Sequence, residues 1–127
     1  MKFFFKRKDG GANSTVTGYW LIECKSLFSI VLLRFDKGSR EAYHSHAFNA
    51  VTWFLSGLVR EKDRVKGNKL WKASLTPKYT PRSCLHKVVG IKPAWAISFR
   101  GPWKKTWEEY LPKTGQTYTL THGRKIV

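Results

Sequence analysis

Cysteine is nearly absent from this 127-residue sequence: Cys24 and Cys84 are the only two, and no Cys-x-x-Cys pair occurs. That excludes the disulfide framework on which small secreted domains rely, and two reduced, mostly buried thiols are the simpler expectation. Long apolar runs are missing too. The best, Leu27 to Phe35, is far short of the roughly 18 residues a spanning helix needs and carries Arg34, so no membrane-spanning helix is expected. The apolar patch in Met1-Lys2-Phe3-Phe4-Phe5-Lys6-Arg7-Lys8 is too short for a secretory signal, and its charges lie on the wrong side, which makes the cytoplasm the expected location. Acidic residues are scarce, 8 against 24 basic ones, and the formal net charge is +16. Such a field attracts polyanions whatever the fold, which leaves nucleic acid, acidic protein surfaces and anionic small molecules as partner classes.

Glycine and proline number only 10 and 5, while apolar residues are spread along the whole chain, so wholesale disorder is excluded and one ordinary core can be buried. The first 13 residues lack a helical or strand period and read as a basic N-terminal arm, with a single domain over 14–127. Stretches rich in Val, Ile, Thr, Trp, Tyr and Phe predict strands at Thr15 to Glu23, Ser26 to Phe35, Val51 to Leu55, Leu70 to Leu75, Leu85 to Val89, Ala94 to Phe99, Thr106 to Leu111 and Gln116 to Thr121. Turns are expected at Asp36-Lys37-Gly38-Ser39, Ser56-Gly57, Gly67-Asn68, Gly90, Lys92-Pro93, Gly101-Pro102 and Pro112 to Gly115, with a loop between Pro77 and Pro81. Short strands at this spacing, with no convincing helical window, predict an all-β sandwich or barrel.

Three of the four histidines form a pattern. His44 and His46 are one residue apart, so on an extended strand both imidazoles leave the same face, about 7 Å apart at Cα. A third neutral imidazole from another strand would complete an open site for a first-row divalent metal; the alternative is an ordinary surface or core pair.

Gly38, five residues, His44-Ser45-His46, then ten residues to Gly57 resembles the first motif of the cupin family. Pro81-Arg82-Ser83-Cys84-Leu85-His86 with Gly90 resembles the second, although Ser83 and Gly90 replace its usual Gly and Asn. The resemblance covers about Ile30 to Arg100 and implies a single-domain cupin jelly roll with His44, His46 and His86 as metal ligands. The family's glutamate ligand would fall at Ala50 or Asn49, so a three-histidine site is implied, similar to that of the thiol-dioxygenase branch. The cofactor implied is one divalent transition metal, Fe2+ favoured, with Zn2+, Mn2+ and Ni2+ as alternatives. His44 to Asn49, Leu55-Ser56-Gly57 with Glu61, and Arg100-Gly101-Pro102 leading to Trp107 are also similar to small cupin-like proteins of viral genomes, so a virus-infected host is one expected setting. Cupins pair through their sheets, and a homodimer is implied on that ground alone.

Other residues carry two readings each. Arg100 ends an apolar strand, where it either anchors a carboxylate or phosphate or is a solvated strand end. Asn49 either supports a metal-bound water, or replaces the missing glutamate, or is a turn residue. Cys84 either lines the pocket with His86 or is a small buried thiol. Glu61, between Arg60 and Lys62, reads as an ion-paired surface residue, with acid–base work as the alternative if it faces the cavity. His122 reads as a surface histidine. Arg60, Lys62, Arg64 and Lys66 alternate, so one face of an extended arm would carry a basic stripe for nucleic acid or another polyanion, with Trp71, Trp103 or Trp107 as stacking faces; the alternative is a solvated surface over core tryptophans. The function expected is a metal-binding cupin, in the sharper form an Fe(II)/O2 dioxygenase-like enzyme on a small polar or anionic substrate, and in the alternative a non-catalytic basic module.

Overall fold

A computed structural model describes residues 1–9, 14–39, 43–63, 67–121 and 125–126. Among them there is no helix. The strands are β1 Lys2–Lys8, β2 Val16–Cys24, β3 Phe28–Phe35, β4 Tyr43–His44, β5 Ala50–Asp63, β6 Gly67–Lys72, β7 Lys78–Thr80, β8 His86–Arg100, β9 Thr106–Leu111, β10 Gln116–Thr121 and β11 Lys125–Ile126. They form one rolled sheet in the order β1-β2-β3-β8-β4-β9-β10-β11, with β5 joined to β6, β7 and β8.

Two long antiparallel strands organise the molecule. β5 and β8 pair along their whole length, from Ala50 opposite Arg100 to Asp63 opposite His86. Near Arg100 the other edge of β8 pairs with β3, and at His86 it pairs with β4, so β8 passes from one part of the rolled sheet to the other. The inward positions Val31, Leu33 and Phe35 of β3, Phe54 and Val59 of β5, Ala94 and Ala96 of β8 and Trp20 of β2 form the main core. A smaller cluster of Ala47, Phe48 and Ala50, flanked by Trp103 and Trp107, lies apart from it.

The eight expected strands fall on seven, since Leu85 to Val89 and Ala94 to Phe99 are both parts of β8; Gly67-Asn68, expected as a turn, instead opens β6, paired with Asp63 and Lys62, and β6 ends at Lys72 rather than Leu75. Expected breaks inside β5 and β8 are also missing. Ser56-Gly57 does not end a strand, and Gly90 with Lys92-Pro93 does not divide one: β5 and β8 run through both places. The register slips between Phe54 and Val59, where Gly57 has φ +82° and Pro93 lies on the opposing strand. An added Cβ at Gly57 would stand 2.2 Å from the Pro93 carbonyl oxygen. Turn-forming residues thus make a bulge rather than a turn, which strand interiors tolerate for glycine and proline. The bulge also changes parity. Ala50, Thr52 and Phe54 point inward, strict alternation would continue with Ser56, Leu58 and Arg60, and instead Val59 and Glu61 are buried.

Gly90 has a different reason to be glycine. It exchanges two backbone hydrogen bonds with Gly38, 3.0 and 2.9 Å, and a Cβ there would lie 2.0 Å from the Asp36 carbonyl oxygen. The end of the second sequence motif therefore packs directly against the start of the first.

Two more expectations change. The loop between Pro77 and Pro81 contains β7, which pairs with the start of β5. Within residues 1–13, where no strand period is visible, Lys2–Lys8 form the edge strand β1 on β2. Every other β1 residue is too exposed to give an alternating apolar pattern, but Phe5 stacks on Trp20 at 5.3 Å and Arg7 pairs with Glu23 at 2.9 Å. Two anchors hold the strand.

If Gly57 makes the bulge, its replacement is far costlier than that of a glycine in open space. Gly67→Ala, where φ is +88° and an added Cβ meets nothing, is expected to lose about 1–2 kcal/mol from the positive φ alone. Gly57→Ala adds a backbone clash and is expected to lose more than about 3 kcal/mol. Urea unfolding of the two variants checks this, and equal losses would contradict it.

Candidate metal centre

The antiparallel pairing of β4 with β8 sets His44 directly opposite His86. His46, two residues after His44, reaches the same point. The three ring centroids are 4.8 to 5.1 Å apart, and one nitrogen from each imidazole lies within 4.8 Å of the other two. All three line a cavity of about 100 Å³ between the two apolar clusters. At roughly 10–15 Å³ per water-sized position, such a space holds a molecule of about seven to ten non-hydrogen atoms.

Burial, reinforced by the neighbouring His44, His86, Arg100 and Lys78, holds the pKa of His46 well below the ordinary histidine value. His86 is oriented by a carboxylate. Its Nδ1 donates to Glu61 Oε2 at 2.6 Å, which turns Nε2 toward His46 Nε2 at 2.9 Å. Two ring nitrogens at that distance are joined either by one N–H donating to the other's lone pair or by a cation between two lone pairs. Two nitrogens each about 2.1 Å from one ion stand about 3 Å apart when the angle is near 90°. The donor set therefore fits a divalent transition ion.

Glu61 is itself fully engaged. Oε2 also meets Lys78 Nζ at 2.7 Å, and Oε1 accepts from Trp71 Nε1 at 3.3 Å. Lys78, 8% exposed, donates onward to Thr80. Burial opposes ionisation of Glu61, but the His86 hydrogen bond and the Lys78 charge outweigh it, and the pKa falls to about 2. A buried Lys–Glu–His chain thus lies behind the histidines.

This corrects the expectation that Glu61 is an ion-paired surface residue: it is 9% exposed and lines the cavity. Its neighbours Arg60 and Lys62 do face outward, as alternation requires, but the bulge at Gly57 decides which set is inside. Lys78 and Trp71 are the partners that sequence reasoning missed. An inward lysine after Pro77 has no sequence signal, and Trp71, expected as a core or stacking residue, stacks on Phe54 and serves Glu61.

The remaining candidates divide. Arg100 is no solvated strand end; it lines the cavity, 5% exposed, and pairs with Asp9 through two contacts of 2.7 and 3.4 Å. Asn49 stands away from the histidines, is exposed, and accepts the Arg82 backbone N–H at 2.6 Å, which is the turn role. Cys84 is half-buried and donates to Asp63 at 3.2 Å; burial and that carboxylate push its thiol up to about 12, so it is no thiolate. Its sulfur lies within 4.8 Å of ligating atoms of Glu61 and His86, but Cys84 is not among the residues lining the cavity. Trp103 and Trp107 pack on the smaller apolar cluster. In the basic stripe Arg60 is exposed and Lys62 half-exposed, while Arg64, Lys66 and His122 lie outside the described residues.

No protein-family model matches the sequence, and no curated protein does. Solved structures do. A sugar phosphate isomerase of the cupin superfamily from Silicibacter pomeroyi superposes with a TM-score of 0.68 at 13% identity, over 98% of this chain and 87% of that one. An RmlC-like cupin from Shewanella frigidimarina gives 0.59 at 20% identity, covering 75% and 81%. The Fe(II) form of HppE gives 0.61 at 14% identity over 76% of this chain, which spans 56% of that one. Likeness at such identities speaks for architecture, and in architecture this chain is a cupin jelly roll.

Proposed function

We propose that His44, His46 and His86 hold one divalent transition ion, Fe2+ in the favoured form, and that the cavity beside them binds a small anionic substrate for oxygen-dependent chemistry. The observation that carries this reading is the convergence of three imidazoles on one point with an ionised carboxylate fixing the tautomer of one of them. Such an ion supplies a Lewis-acid centre and, as iron, a site for oxygen chemistry. Three neutral ligands leave its full charge in place, which suits an anion. The chain's own residues do the rest: Glu61 orients His86, Lys78 and Trp71 hold Glu61, and Phe48, Phe54 and Leu33 supply apolar wall. The Fe(II) state of the HppE neighbour is consistent with iron.

A second reading, binding of nucleic acid or an acidic protein, is favoured by one observation: β5 leaves Arg60 exposed and Lys62 half-exposed on its outer face.

Elemental analysis of protein purified without chelator should find close to one ion per chain, lost in His86→Ala; a folded variant that retains it would overturn the metal reading. Glu61→Gln should weaken metal affinity about 10–100-fold. It should also cost about 3–5 kcal/mol, because Lys78 would be left charged and buried. In Glu61→Gln/Lys78→Met stability should largely return while affinity stays low, as calorimetry and metal titration would show. If the basic face binds polyanions, affinity for a single-stranded oligonucleotide should fall steeply between 50 and about 200 mM salt and survive His86→Ala. A salt-independent affinity would exclude that role.

A further inference from the structure

The arm of the cavity beyond the histidines ends on Arg100, and its occupant is already in place: the side chain of Asp9. Arg100 Nη2 meets Asp9 Oδ2 at 2.7 Å and Nη1 meets Oδ1 at 3.4 Å, a fork matched to the two oxygens of a carboxylate. The guanidinium is held between aromatic faces, 4.6 Å from the Phe48 centroid and 5.8 Å from that of Trp20. Phe48 in turn stacks on the His46 ring at 5.1 Å, so the two ends of the cavity share one wall. The Arg100 Nε–H is buried without an acceptor among the described residues. Ser98, two residues before Arg100 on the same face of β8, lines the cavity and accepts from Thr52 at 3.2 Å, which leaves its own proton to donate.

The two partners differ in how they are held. The Arg100 side chain is 4% exposed and the Asp9 side chain 27%. Asp9 belongs to the connection from β1 to β2, where its N–H donates to the Val16 carbonyl at 2.9 Å and its carbonyl accepts from the Ser14 hydroxyl at 2.6 Å. Asp9, Ser14, Thr15 and Val16 all line the cavity. A solvent-reachable carboxylate thus covers a sealed, preorganised cation.

We propose that Arg100 with Ser98 is the carboxylate-binding subsite of this cavity, and that Asp9 is a built-in competitor which a small carboxylate ligand displaces. The inference rests on the reading of the cavity as a substrate site, and it names the substrate class: a small acid whose carboxylate replaces that of Asp9 while its other end lies toward the histidines. An incoming carboxylate exchanges one ion pair for another of the same geometry, so the buried guanidinium is never left unpaired. The cost is release of the Asp9 contact, which lowers the apparent affinity of the native chain by the fraction of time that contact is closed.

Calorimetric titration of chelator-treated full-length protein with malonate tests this apart from any metal. Asp9→Asn should bind malonate at least tenfold more tightly than the native chain, and Asp9→Asn/Arg100→Lys should lose that gain. Equal or weaker binding by Asp9→Asn overturns the proposal, and tighter binding of inorganic phosphate than of malonate overturns the carboxylate class. The native protein gives a check that needs no variant. Its Arg100 Nε–H resonance should move on saturation with malonate and stay still in sodium chloride of equal ionic strength; malonate binding that leaves it in place also overturns the proposal. Absence of bound metal would refute the metal reading and leave these outcomes unchanged.

Discussion

The ionised carboxylate of Glu61 is the constraint on which the site depends. It accepts from His86, Lys78 and Trp71 inside the rolled sheet, and each of these needs it for a different reason. His86 needs an acceptor on Nδ1 so that Nε2 presents a lone pair to the cavity. Lys78 needs an opposite charge, because an ammonium so far from water is otherwise uncompensated. The Trp71 indole needs an acceptor if its ring is to complete the stack on Phe54. Burying one charge thus fixes the orientation of His86, a β7 side chain and an edge of the core at once. The arrangement stabilises little by itself, since desolvation consumes much of the Coulombic gain, but it admits few alternatives.

That constraint is met only because β5 changes parity. Without the bulge at Gly57, Arg60 rather than Glu61 would point at His86, and a cation would stand behind that imidazole. The positive φ of Gly57 and the opposing Pro93 are therefore as much part of the site as the histidines. The same long strand carries Thr52 and Phe54 on the cavity wall, so a one-residue slip anywhere in the β5–β8 ladder would exchange the lining of the cavity for its exterior.

Much of this was legible in the chain itself. The His44–His46 pair follows from period-two geometry, a local rule, whereas His86 as its third member comes from the resemblance of Pro81 to Gly90 to a family motif, because its place opposite His44 is a long-range pairing. Gly90 was readable as unusual, though its reason, a backbone contact with Gly38, lies in tertiary structure. Other features lay beyond local rules. Ser56-Gly57 and Lys92-Pro93 carry the same residues in a bulge as in a turn, and only the partner strand decides between them. Glu61, flanked by basic residues, has the sequence appearance of surface. β1 was obscured because its anchors, Phe5 and Arg7, are interrupted by exposed residues and by Phe4 at φ 50°.

The charges of the chain are distributed by the same logic. With 24 basic residues against 8 acidic ones, carboxylates are the scarce component, and at least four of them are committed to particular cations: Glu23 to Arg7, Asp36 to Arg34, Glu61 to Lys78 and Asp9 to Arg100. The pair at Glu23 fixes the edge strand, that at Glu61 stands behind His86, and that at Asp9 closes the far end of the cavity. On the cavity lining the two cations, Lys78 and Arg100, are each matched by a carboxylate. The cavity is therefore held near neutrality by the chain's own carboxylates. Binding a divalent ion at the histidines adds two positive charges without adding a ligand anion, and the electrostatic demand for an acid in that space follows from the protein's own composition.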